Sequence, residues 1–383
     1  MVLPPYYFII SVGASPHPTN EDIYQMELLN TEKLLEQKFK NNDFDSYAVL
    51  VHYGDKEVLL TSDNVNEYTY FDVASMGKVL ITSTLILKAI SRDLLALNNT
   101  LSDYFKNVPQ DKKNITVKQL LTHTSGIIRH PITKQAAEKG NDGIAEEILS
   151  HPLAYEPDTD YIYSCNGFIL LGFILEKIYN KSLEEIYDEN ILKPLKLKRT
   201  AFEIGLNEEN AAVCYRWKEG ENKRFDDENV LAMGKTAGSG GQQSCIADIK
   251  KFMTAVFEKS KLFYSKELFD AAEINYTPNF SEGRGLGYLV VDGKYPQTGK
   301  LFPVGSFGHC GHCGQSFFIN REKNLYVIIL TNATRHLNMK NDFKGYDYGE
   351  IMEMRKDIHN AIKEDLSIWG VIKCQILKEK PNS

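Results

Sequence analysis

The sequence predicts an α+β fold: an antiparallel sheet assembled from both ends of the chain, flanked by N- and C-terminal helices, with a mostly helical subdomain inserted between the two halves. Two observations predict it. Apolar runs of strand length stand at 47–53 and 58–61 near one end and at 286–291, 315–319 and 325–331 near the other. Between them the patterning is helical, and 168–175 is apolar on every face, which means a helix buried in a core. The 383 residues, 43% hydrophobic and 25% charged, allow one large core or two joined subdomains. The expected division is an N-terminal tail 1–21, a sheet subdomain from 22–74 and 232–367, a helical subdomain 75–231 and a C-terminal tail 368–383.

Taken in order, Asn20 with Glu21 and Asp22 reads as the cap of a first helix whose apolar face includes Tyr24, Leu28, Leu35 and Phe39. Gly54, Asp55 and Lys56 then turn a hairpin between the first two strands. His52, alone in its strand, reads as structural. After residue 75 come helices separated by polar loops at 98–100 and 109–114. Thr116 and Gln119 form a capping box, and Gly126 stops the helix that follows. Ser182 and Glu185 box another helix, which Pro194 is expected to close. From Val230 onward Gly-rich turns and strands take over. A last amphipathic helix carries Ile351, Met354, Ile358, Ile362 and Leu366 on one face.

Charge and cysteine content narrow the functional classes. The net charge of -7 and the absence of any Lys/Arg-rich block exclude nucleic acid as the partner. Six cysteines (165, 214, 245, 310, 313 and 374) are too few for a disulfide framework in a chain of this length and fit a reducing cytoplasm. The apolar run 6–14, ending in Gly13 and Ala14, has some of the character of an export signal but lacks a basic start. No segment is long and apolar enough to span a bilayer.

Ala74-Ser75-Met76-Gly77-Lys78 is the stretch with the most chemistry. Apolar residues after it (Val79, Leu80, Ile86, Ala89, Ile90) fall at helical spacing, so Ser75 sits near a helix start. Residues three apart share a helix face, which brings the Lys78 amine to the Ser75 hydroxyl. A buried lysine held neutral could take the serine proton, and the helix dipole would stabilise the alkoxide. By itself an isolated S-x-x-K is more often a helix cap beside a solvated lysine.

Four segments in order decide between those readings. Ala74-Ser75-Met76-Gly77-Lys78, then Leu120-Leu-Thr-His-Thr-Ser-Gly126, then Tyr161-Ile-Tyr163-Ser164-Cys165, then Gly308-His309-Cys310-Gly311 resemble the landmarks of the serine beta-lactamase and penicillin-binding superfamily. The likeness is to its class C and D,D-peptidase or esterase branch and covers roughly 22–366. It implies a beta-lactamase-like fold and an acyl-enzyme hydrolase of amides or esters, with D-amino acid peptides, esters or beta-lactams as possible small-molecule or peptide substrates, and with no metal or organic cofactor. In that scheme Ser75 is the nucleophile and Lys78 with Tyr163 is the base. The N–H groups of Ser75 and His312 form the oxyanion hole, on the strand of His309, Cys310 and Gly311. Two departures stand out. Cys165 replaces the asparagine common in the second motif, a weaker hydrogen-bonding group. His309 opens the third motif where lysine is common; a protonated His309 would read a substrate carboxylate only below its pKa.

Three rival readings have their own residues. Cys310 and Cys313, with His309 and His312, could clamp a metal or form a redox pair. Ser239 in Ala237-Gly238-Ser239-Gly240-Gly241 could be the nucleophile of an α/β-hydrolase, which would need repeated βαβ units. Cys165 in place of asparagine could mark a binding or sensing protein of low turnover. Gly234-Lys235-Thr236 is no phosphate-binding loop, because Asn229 stands where its first glycine belongs.

Overall fold

The computed structural model describes residues 26–202, 209–214 and 227–379, with side chains to residue 370. Six antiparallel strands form one sheet. Strands β1 (Tyr47–Tyr53), β2 (Lys56–Thr61), β5 (Leu289–Val290), β6 (Phe307–Cys310), β7 (Ser316–Asn320) and β8 (Leu325–Thr331) lie in the order β2-β1-β8-β7-β6-β5. The first two strands therefore pair with the last ones, Leu50 opposite Ile328, and close the sheet across the whole length of the chain. A small ribbon of β3 (Phe71–Asp72) and β4 (Gln243–Ser244) ties residue 71 to the region after 240 in the same way.

Alternation along the strands feeds two cores, because successive side chains of a strand point to opposite faces. Ala48, Leu50, Ile328 and Leu330 pack with the helical region. Val49, Val51, Val327 and Ile329 pack on the other face against Leu35, Ile351, Met354, Ile358 and Ile362 of the terminal helices. The Cys165–Tyr179 helix is buried from Cys165 to Leu175, as its all-round apolar sequence requires.

The capping boxes at Thr116/Gln119 and Ser182/Glu185 both form. Other expectations shift. Residues 20–25 lie outside the described residues, and the first described helix is Leu29–Lys40. Its orphan N–H groups are met by the far end of the chain: the Asp365 carboxylate accepts from Asn30 N and Thr31 N, each at 2.9 Å. Pro194 does not end its helix. The run from Leu183 widens to a π-helical turn at Asp188–Leu192 and continues to Leu195, a local adjustment that spares the proline its clash with the preceding turn. The last helix, Tyr348–Glu379, runs on through most of the stretch expected to be a tail, since no proline interrupts it and Trp369 is still buried against the second core. No helix among the described residues is long and apolar enough to cross a membrane.

Close backbone approach sets the position of the buried helix. Gly172 leaves room for Gly238, and a Cβ on Gly238 would run into the Phe168 carbonyl. Gly238→Ala should therefore push the Cys165–Tyr179 helix off the 236–240 loop and lower stability by about 1–3 kcal/mol, the usual cost of overpacking. Denaturant unfolding measures it; an unchanged midpoint would mean that the contact is not needed.

Candidate active site

Ser75 is delivered by a strained turn rather than by a regular helix start. Leaving β3, Asp72 accepts the Ala74 N–H at 2.8 Å, and Ala74 adopts φ 46°, a left-handed conformation costing an L-residue about 1–2 kcal/mol. Ser75 then lies in a 3₁₀ turn, Ala74–Met76. The chain continues as a π-helical segment, Lys78–Ser83, before becoming α-helical at Thr84–Ile90. Hydroxyls stabilise the wide turn from both sides: Thr84 bonds back to the Val79 carbonyl at 2.7 Å, and Thr82 reaches the Gly238 carbonyl at 2.6 Å.

Lys78 is wholly buried behind Ser75. Its ammonium donates to Ser75 Oγ at 2.9 Å, to the Ser239 carbonyl at 2.9 Å and to Cys165 Sγ at 3.4 Å, one acceptor for each N–H. It also lies 5.0 Å from the centre of the Tyr163 ring. Burial by itself would depress its pKa, but Cys165 and Tyr163 more than offset this and hold it above the ordinary lysine range. The resting lysine is thus charged, not neutral as the sequence reading supposed. Burial raises the Tyr163 hydroxyl, against the pull of Lys78 and of its contact with Ser75, so Tyr163 rests as a phenol.

Tyr163 is clamped by a histidine that sequence reasoning did not assign to the site. His123 takes φ 58°. Its carbonyl accepts from Ile162 N at 3.2 Å and from the Tyr155 hydroxyl at 3.1 Å, and its Nδ1 accepts from Ser164 N at 3.2 Å. The residues on both sides of Tyr163, Ile162 and Ser164, are thereby held, with the His123 and Tyr163 rings 4.6 Å apart. Burial, then Arg284 and Lys78, keeps His123 far below the ordinary imidazole pKa, so it stays a neutral acceptor. The signal was its place in the Leu120–Gly126 motif, which the sequence offered only as a landmark.

The third motif reaches the site through β6. Gly311 packs tightly against the Val73 carbonyl, which brings the strand end beside the Ser75 turn. His312 follows, its Nδ1 2.9 Å from the Tyr346 hydroxyl. Arg355, fully buried, donates to the carbonyls of Gly311 and Gly314 and so supports the His312 loop from beneath.

Ser75, Tyr163, Cys165, His309, Cys310 and His312 line one open cleft of about 890 Å³, while Lys78 and Gly311 stand behind its wall. Cys165, the first residue of its helix, presents its thiol to Lys78; the Asn166 amide is buried away from the cleft. Cys310 and Cys313 do not converge, since they belong to the cores on opposite sides of the sheet. Ser239 contributes its carbonyl to Lys78 while its hydroxyl is buried with no hydrogen-bond partner among the described residues, and the described sheet is antiparallel throughout, so the α/β-hydrolase reading does not hold.

His309 is also corrected. It is 2% exposed, with Nδ1 on the Cys310 carbonyl at 2.9 Å. Burial, then the charges of Arg284 and Lys78, holds it neutral. A permanent, buried positive charge at the cleft is supplied by Arg284, which the sequence did not flag in its Gly-rich stretch; Arg129 and Lys294 also line the cleft. Arg284 Nη2 donates to the Tyr161 hydroxyl at 2.8 Å and to Glu282 at 2.9 Å, and among the described residues Nε and Nη1 have no hydrogen-bond partner.

The fold and cleft define a hydrolase of the beta-lactamase and peptidase type. Residues 31–344 match the family model described as Beta-lactamase, and the chain belongs to that family. A protein of Escherichia coli O157:H7 named "Putative D-alanyl-D-alanine carboxypeptidase" is 25% identical over 300 residues, 69% of each chain. An N-acetylmuramyl-L-alanine amidase of Bacillus subtilis (strain 168) is 25% identical over 323 residues, 75% of this chain and 73% of the relative. The octameric penicillin-binding protein homologue of Pyrococcus abyssi superposes with a TM-score of 0.64 at 22% identity, over 85% of this chain and 76% of that one. That last likeness concerns the fold.

With His309 neutral and Arg284 charged at every working pH, the relative KM values of a matched acidic and neutral ester should stay parallel across about pH 5.5 to 8.5. Steady-state kinetics checks this. A selective loss of the acidic ester as pH rises would restore a protonated His309.

Proposed function

We propose that the protein is a serine hydrolase acting through an acyl-enzyme on an amide or ester. One observation carries the proposal: the 2.9 Å contact between Lys78 Nζ and Ser75 Oγ at the wall of the cleft. Ser75 is the nucleophile, and Tyr163, in contact with both Ser75 and Lys78, is the group that takes its proton. Because the resting pair is an ammonium and a phenol, one proton must leave before attack; the phenolate formed is stabilised by the adjacent ammonium. Oγ then bonds to the substrate carbonyl carbon, its proton passes to Tyr163, and the N–H groups of Ser75 and His312 hold the oxyanion. Tyr163 returns the proton to the departing amine or alkoxide, and water repeats the sequence on the ester of Ser75. The relatives named as a carboxypeptidase and an amidase support amide chemistry. The choice of acyl group lies in the cleft walls, where Arg284, Glu282 and Tyr161 are among the polar side chains.

A fluorophosphonate or slow beta-lactam probe should label Ser75 and no other serine, read by peptide mass spectrometry. Label on Ser239 with Ser75 unmodified would sink the assignment, and label on Ser75 without turnover of any ester would mark a binding protein. Tyr163→Phe keeps the ring but loses the hydroxyl, so kcat should fall by about 10²- to 10⁴-fold with little change in KM. In the wild type kcat/KM for a neutral ester should climb from about pH 6 to 9, because both members of the pair titrate above their ordinary ranges and the reactive form has lost a proton. A flat profile, or turnover within about threefold of wild type in the variant, would remove Tyr163 as the base.

A further inference from the structure

Tyr163 has a second cation beside it. Lys78 Nζ lies 5.0 Å from the centre of the Tyr163 ring, and the guanidinium carbon of Arg284 lies over the same ring at 5.3 Å. Arg284 is carried there by the sheet, since it bridges to Leu289 of β5, the strand next to β6 and His309. Four other titratable side chains surround Tyr163. His123 and His309, with ring centres 4.6 Å and 6.4 Å away, are held neutral by burial and by the two cations. Tyr161 rests as a phenol because burial raises it, and Cys165 accepts from Lys78 at 3.4 Å. Arg284 keeps its charge: burial opposes it, but Glu282, Tyr161 and Tyr163 outweigh burial.

The guanidinium is anchored on one side. Nη2 donates to Tyr161 and to Glu282, and Tyr161 bonds to the same Glu282 oxygen, so the counter-charge sits at the Tyr161 end. Nε and Nη1 are buried without a hydrogen-bond partner among the described residues. A donor left so is costly, and the rings of Tyr161, at 5.4 Å, and Tyr163 offset part of that cost as cation–π partners. The attraction is far stronger to a ring that has become an anion.

We propose that Arg284 is a positioning residue for proton transfer, its guanidinium anchored by Glu282 and stabilising the phenolate that Tyr163 becomes before it takes the Ser75 proton. The inference rests on the Ser75 and Tyr163 reading and adds to it a second source of charge. Lys78 alone would have to hold the phenolate while its N–H groups also serve Ser75, Ser239 and Cys165. An opposite charge within about 4–6 Å lowers the pKa of an acid by about 1–3 units. With Glu282 drawing on the same guanidinium, the effect of Arg284 belongs at the lower end of that range.

The test follows kcat/KM for a neutral ester against pH, together with NMR of tyrosine labelled at the phenol carbon, where Tyr163→Phe identifies the Tyr163 signal. Arg284→Met keeps the length of the side chain and removes its charge. The rise of the profile and the titration of Tyr163 should both move up by about one pH unit, and kcat/KM at about pH 7 should fall about tenfold, with the rate at the top of the profile kept. Arg284→Lys keeps the charge and should leave the rise close to that of the wild type. Glu282→Gln keeps an acceptor for Nη2 but removes the counter-charge, so the rise should move to lower pH. An Arg284 that serves structure alone would lower the profile at every pH without moving its rise, and that result would overturn the inference. So would a rise displaced as far in Arg284→Lys as in Arg284→Met. Should Arg284→Met fail to fold, Glu282→Gln decides, and an unmoved rise there overturns the inference as well. Failure of the Tyr163 reading looks different: Tyr163→Phe would keep both turnover and the rise, and Arg284 would fall with it. A rise that Tyr163→Phe abolishes and Arg284→Met leaves in place would remove Arg284 alone.

Discussion

A fully buried ammonium is the constraint on which the site depends. Removing a charge from water costs several kcal/mol unless its hydrogen bonds are replaced, and Lys78 replaces all three. The acceptors come from three regions: Ser75 on its own turn, Cys165 at the start of a buried helix, and the Ser239 carbonyl in a Gly-rich loop. Each must be brought within bonding distance, so the packing of those regions and the state of the lysine are one problem. The glycines at 172 and 238 let helix and loop approach that closely, and Thr82 adds its own bond to the same loop.

The two histidines of the site show how burial overrides intrinsic chemistry. An exposed imidazole titrates near neutrality, but His123 and His309 sit out of water beside Arg284 and Lys78, and both are held neutral. A neutral His123 can accept the Ser164 N–H and so position Tyr163; a protonated one could not. Charge in the cleft is assigned instead to groups that keep it at any working pH. Arg284 stays protonated because Glu282 lies against it, despite burial that opposes the charge.

Elements whose stabilisation is local were legible. The capping boxes at Thr116 and Ser182 use partners three residues away, and the strand at Leu325–Thr331 is a continuous apolar run, so each is visible within a short window. The start of the first described helix was not, because its cap is Asp365, more than three hundred positions distant. Nor was the π-helical turn after Ser75, which answers to tertiary bonds from Thr82 and not to helix propensity.

The sequence by itself determined the α+β plan, the pairing of the two chain ends in one sheet, and the ordered Ser75, Lys78, Tyr163 and His309 motifs, since these rest on periodicity and residue identity. Only the tertiary structure decided that Lys78 is charged, that His309 is neutral, that His123 holds Tyr163, and that Arg284 is a buried charge at the cleft. Protonation depends on desolvation and on neighbours within a few ångströms, and for these residues most of those neighbours come from distant parts of the chain.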